Sequence, residues 1–256
     1  MMEFPREFFL DELREGFYIP AMMKRAWAAE LEILVEIDRI CDKYKLRYYI
    51  DYGNLLGAIR HKGFIPWDDD IDIMMMRRDY EIFAEVANAE LPKELVFRSP
   101  EDDSGNCELF SSVQHRDMLI STDAIGKYHN YLYGAGVDIF PYDYLAKDPD
   151  KEKQREDILK SLCILASFPS MEGENQVVLK EEAKKVKNHY GVDLFHSSDY
   201  RKTVLNLLND CFKEFNQEGN TRIAYLLDLI LYKEQGKSIF EEQWYEEQSY
   251  LDFEFL

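Results

Sequence analysis

Paired cysteines are missing from this chain. Cys41, Cys107, Cys163 and Cys211 are widely scattered, which excludes a zinc knuckle or a disulfide framework and fits reduced thiols in the cytosol. Basic charge is scarce as well: 31 Lys and Arg stand against 50 Asp and Glu, for a formal net charge of -19. Such a surface repels phosphate backbones and anionic lipids, so no nucleic acid is expected as a partner, although a local basic patch can still hold a small phosphorylated ligand. No window approaches the roughly 20 apolar residues of a membrane span, and Met1-Met2-Glu3-Phe4-Pro5-Arg6 lacks the pattern of a signal peptide. The expectation is a soluble protein with no integral membrane segment, cytoplasmic or peripheral at the inner face of the membrane. Low-complexity tracts and internal repeats are also lacking, and 46% hydrophobic with 14% aromatic residues is core-forming material.

What is present is a run of acids. Trp67-Asp68-Asp69-Asp70-Ile71-Asp72-Ile73 puts four carboxylates within five positions. Read as a strand, it sends Asp68, Asp70 and Asp72 to one face and Asp69, Ile71 and Ile73 to the other. Like charges so close raise one another's pKa and destabilise the fold unless a cation neutralises them. A divalent metal answers that requirement. The alternatives are a calcium loop or a solvated acidic loop; no glycine occurs between Asp68 and Arg78, as an EF-hand loop needs.

Around this run the chain reads as follows. Ile33, Ile37, Ile40 and Tyr44 recur at helical spacing within an amphipathic helix from about Ala21 to Tyr44. A short strand, Leu46 to Ile50, leads to a tight turn marked by Gly53 and Asn54; Leu55–Arg60 reads as a short helix and His61–Pro66 as a loop. Asp79 is expected to cap a helix carrying Tyr80, Phe83, Ala84 and Ala87 on one side. Strands are expected at Leu95–Phe97, Phe110–His115 and Val137–Phe140, the last stopped by Pro141. Helices follow near 150–167, 176–190 and 200–216, with Lys184-Lys185-Val186-Lys187 as a solvated helix face. Residues 1–146 thus form an α/β (α+β) part and residues 147–256 a mainly helical one, joined at Lys147-Asp148-Pro149-Asp150.

A glycine turn at a helix N-terminus holds phosphate, and carboxylates on a neighbouring strand hold a hard cation that bridges to it. Together they describe phosphate transfer. Asp138, an acid inside the apolar run Gly136–Phe140, is either the third carboxylate or a strand-end cap before Pro141. Asp143 reads as a turn residue. Arg60, His61 and Lys62 either clamp phosphate oxygens or balance the acids as a solvated loop. Arg77 and Arg78 read as solvent-facing residues of a helix start, the alternative being that they reach back to the same ligand. Tyr52, Trp67 and the tyrosines at 128, 131 and 133 are candidates to line a ligand pocket, where aromatic faces would attract a quaternary ammonium; core packing is the alternative for each.

Tyr52 to Ile73, reading YGNLLGAIRHKGFIPWDDDIDI, resembles the signature of the LicD family. That family is similar to the fukutin-type transferases and belongs to the nucleotidyltransferase-like superfamily. The resemblance implies a mixed-sheet core with flanking helices. It also implies transfer of a phosphocholine-like group from CDP-choline or a related CDP-alcohol to a cell-surface glycan or its lipid-linked precursor. By it, Asp70 and Asp72 bind Mg2+ (or Mn2+), Asp138 completes the metal site or activates the acceptor, and Asp68 supports them; Gly53 and Asn54 stand in the phosphate-binding turn. Asn54 departs from the Thr or Ser usual there. The tail Ser238–Trp244 and Tyr250–Leu256 resembles a region that relatives extend further, which leaves a short lineage and a truncated frame as the two readings. Two other functions share these acids: transfer of a nucleoside monophosphate to a small acceptor, and an inactive metal- or glycan-binding relic.

Overall fold

The computed structural model describes residues 2–100, 109–116, 122–171, 175–197, 199–231 and 238–253, with the backbone alone at 122–124. Cys107 and the last three residues of the tail lie outside the described residues. The fold is mixed α/β and divides into two compact units, one built from Met1–Ser99, Phe110–Pro141 and Ser249–Leu256, the other from Pro100–Leu109 and Tyr142–Gln248.

The first unit opens with a hairpin of β1 (Glu12–Arg14) and β2 (Phe17–Ile19), followed by the long helix α1 (Ala21–Tyr44). Pro20 occupies the residue before α1, where its fixed φ and missing N–H do no harm, and Lys45 ends the helix in the left-handed conformation. Ile33, Ile37 and Ile40 are fully buried, so helical spacing and core face agree. Next come β3 (Tyr49–Ile50), α2 (Tyr52–His61), β4 (Asp72–Met76), α3 (Arg77–Glu90), β5 (Leu95–Arg98), β6 (Ser111–His115), α4 (Thr122–Lys127) and β7 (Gly136–Tyr144). Strand order across the sheet is β3-β4-β7-β6-β5, which sets β4 beside β7, the two strands that carry acids. Asp138 N–H donates to the Ile71 carbonyl at 2.8 Å, tying them together at the site.

Four local expectations are corrected. Gly53 and Asn54 are not a separate turn, because the Asp51 side chain accepts the Tyr52 N–H and starts α2 at once. The strand carrying the acids begins only at Asp72; Asp68 to Ile71 lead into it without ladder partners of their own. Asp79 does not cap α3, which starts after Met76; it lies in the first turn, where an acid suits the helix dipole, and accepts the Arg47 N–H. Pro141 does not stop β7. Pairing with β6 ends at Ile139 and pairing with β8 begins at Asp143, so proline falls between the two ladders, where no N–H is demanded.

The second unit contains the end of β7, then α5 (Pro149–Ala166), α6 (Gln176–Tyr190), α7 (Tyr200–Lys213), β8 (Arg222–Ala224), α8 (Leu226–Leu231) and β9 (Phe240–Glu241). Asp148 caps α5 ahead of a first-turn proline, and Asp199 caps α7. Arg155, 1% exposed, is its polar centre: it forks onto Glu152 at 2.7–3.1 Å, donates to the Tyr144 carbonyl at 3.1 Å and lies over Phe215. Asp143 is no turn residue; it is buried in β7 and accepts a 2.7 Å hydrogen bond from Asn216. The three lysines 184, 185 and 187 are exposed as expected, with Val186 buried between them.

Two glycines of α2 differ in what a side chain would meet. A Cβ at Gly57 would strike the Gly63 backbone carbonyl, whereas one at Gly53 would meet only the Asp68 carboxylate, the end of a movable side chain. Gly57→Ala is therefore expected to lower unfolding stability by about 2 kcal/mol, and Gly53→Ala by clearly less. Denaturant melts of the two variants check the order.

Candidate active site

The acidic segment is held by its backbone, which leaves its carboxylates to face one another. Trp27 Nε1 donates to the Asp68 carbonyl at 2.8 Å. The buried Asn54 amide grips the next two positions: Nδ2 donates to the Asp70 carbonyl at 2.9 Å and Oδ1 accepts the Asp72 N–H at 2.6 Å. Asp51 N–H closes the series on the Asp72 carbonyl at 2.9 Å. On the opposite side Ile71 and Ile73 enter the core at 2% and 0% exposure. Gly53 lets the Asp68 carboxylate lie against the first turn of α2.

The electrostatics follow from this crowding. Burial first, then Asp70, Asp138, Asp68 and Asp51, push Asp72 up to about 8. Burial, then Asp70 and Asp69, push Asp68 up to about 6, and Asp70 is raised by burial and then Asp69. Among the described residues no Lys or Arg is among the charges acting on these three groups. Asp69 is exposed rather than buried with the isoleucines, and it adds to the same field.

A further acid, absent from the reading of the sequence, belongs here. Glu30 of α1 is 5% exposed and its Oε2 meets no hydrogen-bond partner among the described residues. Burial holds its carboxyl well above the ordinary range, followed by Asp70, Asp69, Asp138 and Asp68. A signal for it existed: Trp27, Glu30, Ile33 and Ile37 share one apolar helix face, where an unpaired acid is out of place. Asn54 was visible as a residue of the turn, but not as the clamp on Asp70 and Asp72.

The remaining residues distribute as follows. Arg60, His61 and Lys62 sit at the far end of the ten-residue α2, about 15 Å from its N-terminus. Arg60 and Lys62 are exposed, and His61 Nδ1 lies 3.5 Å from Glu15. Tyr52 takes a left-handed φ of 42° and packs edge-on against Phe140; Trp67, 60% exposed, packs edge-on against Phe17. Tyr128 is core, Tyr131 is half-buried and Tyr133 exposed. Arg77 is buried over the Tyr80 ring, a correction to its expected solvent role, whereas Arg78 is exposed.

Residues 45–154 match the LicD/FKTN/FKRP nucleotidyltransferase domain. This stretch is a LicD-family domain. It contains Asn54, Asp68, Asp70, Asp72 and Asp138, whereas Glu30 lies before it. The lipopolysaccharide cholinephosphotransferase LicD of Haemophilus influenzae is 37% identical over 121 residues, 46% of this chain and 43% of that protein. The ribitol 5-phosphate transferase FKRP of Mus musculus is 32% identical over 78 residues, 30% of this chain and 15% of that protein. The chain therefore spans less than half the length of either relative. No helix among the described residues is long and apolar enough to cross a membrane.

Two predictions concern the acids and their clamp. A carboxyl raised in the folded state lends stability below its unfolded pKa near 3.8 and loses it as pH rises through the folded value, here about 8 for Asp72. In chelator, Asp72→Asn is expected to melt increasingly above the wild type between about pH 4 and about pH 8; a constant difference across parallel thermal scans refutes this. Asn54→Ala strands the Asp70 carbonyl and the Asp72 N–H, and is expected to cost about 2 kcal/mol in denaturant unfolding.

Proposed function

We propose that this chain is a metal-dependent phosphotransferase of the LicD type. It moves a phosphocholine-like group from a CDP-linked alcohol to a hydroxyl of a glycan or lipid-linked glycan precursor, on the cytoplasmic side of a membrane. One observation carries the proposal: within the LicD-family domain, Asp68, Asp70 and Asp72 lie on clamped backbone beside Asp138, and among the described residues no basic charge acts on the three whose pKa values are raised. The relatives, by name a cholinephosphotransferase and a ribitol 5-phosphate transferase, support the same class of reaction.

The donor set fits Mg2+ or Mn2+ chemically, since carboxylate oxygens are the ligands such hard cations take. Among the described residues no three acidic, histidine or cysteine side chains already converge at ligand spacing, so Asp70, Asp72 and Asp138, with Asp68 behind them, would have to draw together on the ion. A cation held there supplies charge neutralisation to the transferred phosphoryl group. The chain's own residues do the rest. Asn54 fixes the register of Asp70 and Asp72, the N-terminal turn of α2 around Gly53 receives phosphate oxygens, and Asp138 takes the proton of the acceptor hydroxyl. Arg60, His61 and Lys62, at the other end of α2, contact a part of the ligand remote from the reacting phosphorus.

Titration of the folded protein with Mn2+ tests the metal site. Asp70→Ala with Asp72→Ala is expected to weaken binding about tenfold or more, and unchanged affinity sinks the assignment. The nucleotidyltransferase character of the matched domain favours a second reading, transfer of the nucleotide half of the donor. Incubation with CDP-choline labelled in either half decides between them: choline label on the acceptor supports phosphocholine transfer, cytidine label the alternative.

A further inference from the structure

Helix α2 is amphipathic the wrong way round. A surface helix ordinarily sends its large apolar side chains inward and its small or polar ones outward. Here Asn54, Gly57 and Ala58 are the buried residues, and the loop that follows returns against them, with the Gly63 N–H donating to the Gly57 carbonyl at 3.4 Å. The opposite face carries Tyr52, Leu55, Leu56 and Ile59, at i, i+3, i+4 and i+7, all of them exposed and Ile59 67% so. Close approach of the loop accounts for the small residues, since a Cβ at Gly57 has no room. It does not account for a contiguous row of large apolar ones facing water, which marks a surface that something else covers.

The rim of this face is cationic. Arg60, next on the helix, and Lys62, its C-cap, are exposed and in no ion pair among the described residues, in a chain whose net charge is -19. Glu15, an acid near this end, faces His61 at 3.5 Å. Trp67, on the returning loop, is exposed as well and leans on Phe17 of the hairpin. Gly53, against which the Asp68 carboxylate lies, is at the other end of the helix, about 15 Å from Lys62. That separation exceeds the roughly 8 Å over which charges act through physiological salt.

We propose that this face docks the protein on a lipid bilayer, with Leu55, Leu56 and Ile59 entering the interfacial layer and Arg60 and Lys62 meeting the phosphates of its headgroups. Leucine and isoleucine on one side of a helix, flanked by Arg, Lys and Trp, are what an element lying in that interface presents. The net charge then orients the molecule, because the rest of its surface is repelled. Other occupants fit less well. The exposed side of a ten-residue helix, about 15 Å by about 10 Å, falls far short of the roughly 800 Å2 that each partner gives to a stable protein interface. A second copy would bring a further charge of -19 against the first. The docking is argued apart from the transfer reaction and rests on it at one point only: the part of the ligand remote from the reacting phosphorus, assigned to Arg60 and Lys62, becomes a lipid headgroup phosphate.

Co-sedimentation of the full chain with vesicles, in the absence of any CDP donor, tests the surface. The wild type is expected to bind phosphatidylcholine vesicles containing about one quarter phosphatidylglycerol, and to bind more weakly without the anionic lipid. Leu55→Gln with Ile59→Gln should weaken binding about tenfold or more. Arg60→Gln with Lys62→Gln should weaken it several-fold, and only where phosphatidylglycerol is present. Val177→Gln with Val178→Gln, at comparably exposed apolar positions on α6, should change nothing. Absence of vesicle binding by the wild type overturns the proposal, as does an equal loss in the α6 variant. A wild-type dimer that Leu55→Gln with Ile59→Gln dissociates gives the face to a second copy, and a clear fall in that variant's denaturant midpoint shows the face to be packed within the chain; either result overturns the docking. Calorimetry with CDP-choline and Mg2+ keeps the two readings apart. Donor binding without vesicle binding refutes the docking alone, and vesicle binding without donor binding refutes the transfer reading alone.

Discussion

Mutual repulsion of carboxylates is the constraint around which the first unit is organised. Asp68, Asp70, Asp72, Asp138 and Glu30 act on one another in a partly buried setting, where each charge resists the next. A flexible loop would relax by splaying into water. Here the backbone is denied that freedom by Trp27 on the Asp68 carbonyl, Asn54 on Asp70 and Asp72, and Asp51 on Asp72. Stability is thereby sacrificed locally to keep the carboxylates together, the usual relation between strain and function.

The second unit shows the contrasting solution to buried charge. Arg155 is as deeply buried as any acid of the first unit, but its donors are met by Glu152 and by the Tyr144 and Phe212 carbonyls. Asn216 similarly satisfies both Asp143 and the Tyr144 N–H. These polar groups are closed on one another. In the acid cluster, by contrast, Glu30 Oε2 meets no hydrogen-bond partner among the described residues.

Much of this was legible in the chain because it depends on local pattern. The α1 face, the helices of the second unit and the grouping of Asp68, Asp70 and Asp72 follow from spacing alone. Only Asp72 is in a strand, and the strict alternation does not hold, since Asp69 acts on Asp68 and Asp70 as well. What escaped reading depends on partners distant in sequence. Nothing local says that the Asn54 amide meets Asp70, that Asp143 is satisfied by Asn216, or that Pro141 falls in the gap between two ladders. Glu30 is intermediate: its position on an apolar stripe was visible, but its meaning required Asp138 and Asp69 to be brought within reach.

The matched LicD-family domain begins at residue 45, just after α1 ends. Yet α1 supplies Trp27, which fixes Asp68, and it supplies Glu30, Arg25 and Glu32 around which the turn at 129–130 is gathered. The boundary drawn by similarity therefore passes through the acid cluster and its supports. Excised at that boundary, the domain would keep every aspartate of the signature and lose the wall against which they are set. Likeness within the signature and likeness of that wall can vary independently, so two bearers of the same motif can hold its acids differently.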